Sequence, residues 1–165
     1  MQDEKVREFA VAFYPRAVIV QTQGQSDTAL ISISCPGDPA PLKEGWGALL
    51  RLEFHDVLAK DDYEMARDDG TVLNIVAFKP SHADMILDFI DSLPHEVGAV
   101  VVHCDAGVSR SAAVARFIHE RHGGTLRGND SRANVHILSI LREKDRERHP
   151  AWVRSAFETD SRGRP

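Results

Sequence analysis

A cysteine and an arginine separated by five residues, most of them small, make a site for an anion. The stretch is His103-Cys104-Asp105-Ala106-Gly107-Val108-Ser109-Arg110-Ser111. It follows an apolar run, Val97 to Val102, with the character of a buried strand, and precedes a run from Ser111 to His122 with the character of a helix. A chain that turns from strand into helix leaves backbone N–H groups without helical partners. Those of Asp105, Ala106, Gly107, Val108 and Ser109 converge here, and the helix dipole adds partial positive charge. Gly107 frees the backbone to turn and lets an anion come close. Arg110 supplies a planar fork for two oxygens of one phosphate. Cys104 stands at the base of this positive field, which favours the thiolate, the form that attacks phosphorus. Ser111 is placed to donate a hydrogen bond to the sulfur and ease its departure. His103 is expected to brace the loop backbone rather than act as a base.

His-Cys-x5-Arg-Ser resembles the signature loop of the cysteine-dependent protein tyrosine phosphatases. Its form here, Ala106-Gly107-Val108-Ser109-Arg110-Ser111, is most similar to the dual-specificity and small atypical branch. The resemblance implies a phosphomonoester hydrolase that works through a cysteinyl-phosphate intermediate. It implies an α/β fold, with a central, mostly parallel sheet of four to five strands flanked by helices. It also implies a general acid, because the departing oxygen needs a proton. Asp56, at the end of Leu50-Arg51-Leu52-Glu53-Phe54-His55-Asp56, matches that position. Asp56 lies 48 positions before Cys104, a wider gap than in compact members of the family. The excess is Lys60 to Gly70, an apparent insertion that holds Asp61, Asp62, Asp68 and Asp69. Asp61 and Asp62 are the alternatives for the acid.

Asn134, with Leu138 and Leu141, resembles a family helix whose asparagine ties down the signature loop; the other reading is a helix cap. Cys35 closes the run Thr28 to Ser34. Some family members carry a cysteine there that forms a reversible disulfide with the nucleophile; the other reading is a small buried residue.

The loop holds no lysine, and Asp105 would repel a second phosphate by ~1–4 kcal/mol. The expected partner is a phosphorylated protein or a small aryl phosphomonoester carrying one accessible phosphate, with inorganic phosphate as product. Neither a cofactor nor a metal is expected, and His119 and His122 lack further ligands at metal spacing. Two other classes remain open: a rhodanese-like sulfurtransferase, and a phosphate-binding module without catalysis.

The rest of the chain must position this loop. Its 165 residues suit one domain, expected over 1–158 with a frayed tail at 159–165. A net charge of −5 with no basic cluster argues against nucleic acid. No apolar run spans a membrane, no signal peptide is evident, and two cysteines make no disulfide framework, so a cytoplasmic setting is expected. Alternating apolar residues suggest strands at Arg7–Phe13, Thr28–Ser34 and Ala48–Phe54. Ala17–Gln21 is ambiguous between strand and the short helix that the resemblance implies. Lys60–Gly70 is expected as a surface loop, with Tyr63 either packed or facing a substrate ring. A helix is expected from a cap at Ser81 through Leu93, another from Ser131 to His149 before Pro150, and a last one around Trp152, Val153, Ala156 and Phe157.

Overall fold

The computed structural model describes residues 7–149. The last expected helix, around Trp152 to Phe157, its stop at Pro150 and the tail at 159–165 lie outside the described residues. The elements run β1 (Phe9–Pro15), α1 (Arg16–Ile19), β2 (Thr28–Ser34), β3 (Ala48–Glu53), β4 (Tyr63–Ala66), β5 (Val72–Ile75), α2 (Pro80–Asp91), β6 (Ala99–Cys104), α3 (Arg110–His122), β7 (Gly124–Arg127) and α4 (Val135–Arg148).

Five strands form one sheet in the order β3-β2-β6-β1-β7, and every neighbouring pair is parallel. Parallel sheets need cover on both faces, and β2 has all seven residues buried. Alternate residues build the main core. Phe9, Val11 and Phe13, Ala29, Ile31 and Ile33, and Val100, Val102 and Cys104 join the buried faces of α2, α3 and α4. The short helix α1 lies by β1 and β6, with Ile19 buried. Trp46, Tyr14, Ile19 and Val101 line a cavity of about 330 Å³ there.

The register aligns the strand ends. Pro15 lies beside Cys104, and Ser32 beside His103. The chain therefore leaves β1, β2, β3 and β6 at one edge, where parallel α/β sheets build their sites.

Local chemistry sets several elements differently from the sequence expectation. Arg16–Ile19 is a helix, resolving the ambiguous Ala17–Gln21 in favour of the resemblance. Helix α2 begins two residues earlier than the Ser81 cap suggests: Lys79 is the cap, Pro80 takes the first helical place, and the Lys79 N–H donates to His82 Nδ1 at 2.9 Å. Helix α4 begins at Val135 rather than Ser131, because the Asn134 side chain accepts from the N–H groups of His136 and Ile137. Lys60–Gly70 is not a plain loop. Most of it joins Val72–Ile75 in an antiparallel hairpin with a turn at Asp68-Asp69-Gly70. A fifth strand, β7, begins at Gly124, the second glycine of the pair that ends α3, and lies along β1. A side chain at Gly124 would meet the Phe9 carbonyl at 2.2 Å, so the close approach of this strand requires glycine.

Candidate active site

The turn from β6 into α3 is the signature loop. Cys104 is buried at the strand end, with 2% of its surface exposed. Its Sγ accepts the Gly107 N–H at 3.3 Å and lies 3.1 Å from the Ser111 hydroxyl. Gly107 has φ +70°, and a Cβ there would stand 2.4 Å from the Pro15 nitrogen and 2.6 Å from the Tyr14 carbonyl carbon. The loop is thus pressed against the end of β1 in a shape only glycine permits. His103 is fully buried; its Nε2 lies 2.6 Å from the Ser32 hydroxyl and its Nδ1 3.4 Å from the Cys104 carbonyl. Burial pushes its pKa down, so the ring is a neutral brace between β6 and β2.

Arg110 opens α3 and is 5% exposed. Its Nη1 donates to the Phe54 carbonyl at 2.7 Å and its Nη2 to Asp105 Oδ2 at 3.1 Å. Burial works against its charge, but Cys104, Cys35 and Asp105 outweigh burial and raise its pKa. Asp105 is the counterpart. Burial would raise its pKa, yet hydrogen bonds from Cys35 and Arg110, with the Arg16 charge, hold it below the usual carboxylate range. Arg16 Nη1 stands 3.8 Å from Asp105 Oδ1, and the Arg16 N–H donates to the Asp105 carbonyl at 3.3 Å. Sequence reasoning missed Arg16, because only the pairing of β1 with β6 brings it there.

Cys35 faces the same mouth. Its thiol donates to Asp105 Oδ2 at 3.3 Å and lies 3.7 Å from Arg110 Nη1. Burial pushes that thiol up, in keeping with its role as donor. Both cysteines are free.

Asp56 reaches the loop from the chain after β3. Its Oδ1 accepts from the Ser109 hydroxyl at 2.8 Å and from Asn134 Nδ2 at 2.8 Å. The cap reading of Asn134 applies, whereas its side chain bonds Asp56 and Val57 rather than the signature loop. Its Oδ1 caps α4, its Nδ2 holds Asp56 and the Val57 carbonyl, and its backbone N–H donates to the Ser109 carbonyl at 3.2 Å. The side chain grips the acid segment, while the backbone grips the signature loop. Of the alternative acids, Asp62 is bonded outside the signature loop. Asp62 accepts from the Ala77 N–H at 2.9 Å and from Lys79 Nζ at 2.7 Å, and the Lys79 hydrogen bond lowers its pKa. Asp69 accepts from Thr71 in the hairpin turn.

His122 Nδ1 bonds the Arg7 carbonyl at 2.8 Å, and its Nε2 accepts from Arg121. Burial pushes its pKa down, so it does not carry the positive character its helix end would favour. Among the described residues, no group of three or more His, Cys, Asp or Glu residues is arranged to hold a metal ion. No helix among them is long and apolar enough to cross a membrane.

No family model matches the chain, and no curated protein matches its sequence. Solved structures resemble it. One of them is the crystal structure of human tyrosine phosphatase-like serine/threonine/tyrosine-interacting protein, 20% identical, with 73% of this chain and 77% of that chain covered and a TM-score of 0.41.

Proposed function

We propose that the chain is a cysteine-dependent phosphomonoester hydrolase of the protein tyrosine or dual-specificity type. The observation that carries this reading is the setting of Cys104: its sulfur takes hydrogen bonds at the floor of a loop whose far end holds Arg110. The Gly107 N–H and the Ser111 hydroxyl fix the sulfur at the floor of the loop, and an arginine in the same loop can hold the transferring group opposite it.

The steps follow. Phosphate oxygens bind the loop N–H groups and Arg110. The Cys104 thiolate attacks phosphorus, an S–P bond forms, and the P–O bond to the alcohol or phenol breaks. Asp56, carrying a proton, gives it to the departing oxygen. Water then attacks the cysteinyl-phosphate while Asp56 takes its proton; the S–P bond breaks and inorganic phosphate leaves. Ser111 donates to the departing sulfur. None of these steps calls on a metal or cofactor.

A rhodanese-like sulfurtransferase has no use for a carboxylate bonded to Ser109, and a bare phosphate-binding module has no use for a sulfur held at the floor of the loop. The experiment is turnover of p-nitrophenyl phosphate in EDTA by the wild type and by Cys104→Ser. The wild type releases nitrophenol, and the variant binds orthovanadate without turnover. Undiminished turnover in Cys104→Ser overturns the mechanism. Thiocyanate formation from thiosulfate and cyanide would shift the reading to sulfur transfer.

A further inference from the structure

The hairpin of β4 and β5 has no part in the steps above, yet it rises beside the proposed acid. The His55 N–H donates to the Val76 carbonyl at 2.8 Å and the Val76 N–H to His55 Nδ1 at 2.9 Å, one residue before Asp56. Asp62, tied to Ala77 and Lys79, closes the other side of the base. From there the register sorts the residues. Tyr63 pairs with Ile75 and Met65 with Leu73 on one face; Glu64 pairs with Asn74 and Ala66 with Val72 on the other. The first face is apolar. Ile75 is buried at the base, but Tyr63 and Met65 are 41% and 45% exposed. Among the described residues neither strand has a second partner. A lone two-stranded ribbon is marginal in water, and free strand edges are ready to pair with an extended chain.

The charge of this arm is one-sided. From Asp56 to Lys79 the acidic residues outnumber the basic ones two to one. Lys79 is taken up by Asp62, and among the described residues Asp61, Glu64 and Asp68 form no ion pair. The phosphate cradle is positive, while the arm next to it is negative and apolar.

We infer that the β4–β5 hairpin docks the flank of a phosphorylated polypeptide that carries Lys or Arg together with an apolar side chain. This rests on the hydrolase reading for the phosphate itself. The arm extends four residues beyond its base, about 13 Å at strand rise. A small phosphoester in the cradle does not reach its tip; a peptide does.

The test uses two phosphotyrosine peptides of identical core, one flanked by Lys and Arg and one by Asp and Glu. Binding to the Cys104→Ser protein is read by fluorescence anisotropy. The basic peptide is expected to bind about tenfold more tightly at low ionic strength, with the gap narrowing as salt rises. Glu64→Gln, a charge-only change on an exposed residue, narrows the gap, and Met65→Ser weakens both peptides more than it weakens orthovanadate. Equal binding of the two peptides, a preference for the acidic one, or a preference untouched by Glu64→Gln overturns the inference. If the basic peptide is preferred but wild-type protein hydrolyses neither peptide nor p-nitrophenyl phosphate, the hydrolase reading fails and the docking surface stands.

Discussion

Arg110 and Asp105 form an ion pair across the mouth of the signature loop, with Nη2 3.1 Å from Oδ2. The other arm of the guanidinium is held by the Phe54 carbonyl. An arriving phosphate must therefore share Nη2 with a carboxylate of its own sign. Asp105→Asn removes that competitor and is expected to lower the inhibition constant of inorganic phosphate or orthovanadate about three- to tenfold. Weaker binding in the variant would mean that Asp105 instead preorganises the fork.

Asp56 and Asn134 make the second prediction. Asp56→Asn is expected to slow an alkyl phosphate about 100-fold or more, with a far smaller effect on p-nitrophenyl phosphate, whose leaving group needs less help. Asn134→Asp keeps a good helix cap but replaces the amide that donates to Asp56 with a second carboxylate. It should keep near-normal resistance to urea while showing the same leaving-group dependence. If both substrates slow equally in Asp56→Asn, the acid is elsewhere, and Asp61→Asn is the next variant to measure.

Ser111 lies 3.1 Å from the Cys104 sulfur and is fully buried. Without its hydroxyl the departing sulfur loses a donor, and breakdown of the intermediate becomes the slow step. Rapid-quench kinetics of Ser111→Ala are expected to show a burst of nitrophenol approaching one per enzyme, followed by slow turnover. A linear trace from the first turnover would show that the hydroxyl does not act on the sulfur.

Gly107→Ala should be severe for two separate reasons. The backbone is at φ +70°, and the new methyl group would press on the backbone of Tyr14 and Pro15. A loss of about 2–4 kcal/mol is expected by urea denaturation, together with loss of orthovanadate binding. A variant of native stability would show that the end of β1 yields easily.

Stability should also depend on pH. Burial lowers the pKa values of His82, His103 and His122 in the folded chain. Below the unfolded value, near ~6.5, the unfolded state takes up protons that the folded state resists. The stability conferred by these neutral rings is therefore full above that pH and falls as the pH drops through and below it. The urea midpoint at pH 5.5 is expected to lie below that at pH 7.5, and a flat profile would contradict buried neutral rings. Asp105, held low, adds a loss in the same direction only in stronger acid.

Much of the site was legible because its signals are local. Cys104, Gly107, Arg110 and Ser111 are neighbours in sequence, and the strand before them and helix after them have the expected periodicities. Thr28–Ser34 is legible at its bounds because Ala29, Leu30, Ile31 and Ile33 make a short apolar run that stops at the turn cluster from Cys35 to Pro39. The missed parts depend on remote partners. Strand β7 has four residues, the first of them Gly124, and is a strand only because β1 offers an edge. The hairpin was hidden by its charges, since Asp and Glu are poor strand residues and mask the alternation of Tyr63, Met65, Leu73 and Ile75. Asn134 carries two readings: its side chain caps α4, while its bond to the signature loop comes from the backbone N–H and not from the side chain. Arg16 gave no signal at all, because its contact with Asp105 joins two strands far apart in the chain.

The place of β6 in the sheet bears on how the protein is made. Its register partners, Ala10 on one side and Thr28 on the other, leave the ribosome long before Ala99 does. Until then β1 and β2 have no strand between them, and their apolar faces wait uncovered. Such distant pairings slow folding and lengthen the interval in which open edges attract other chains. The strand that fills the gap is also the one that ends in Cys104. The chain thus acquires its proposed nucleophile in the same event that completes the interior of its sheet, and a nascent protein cut short before Ala99 has neither.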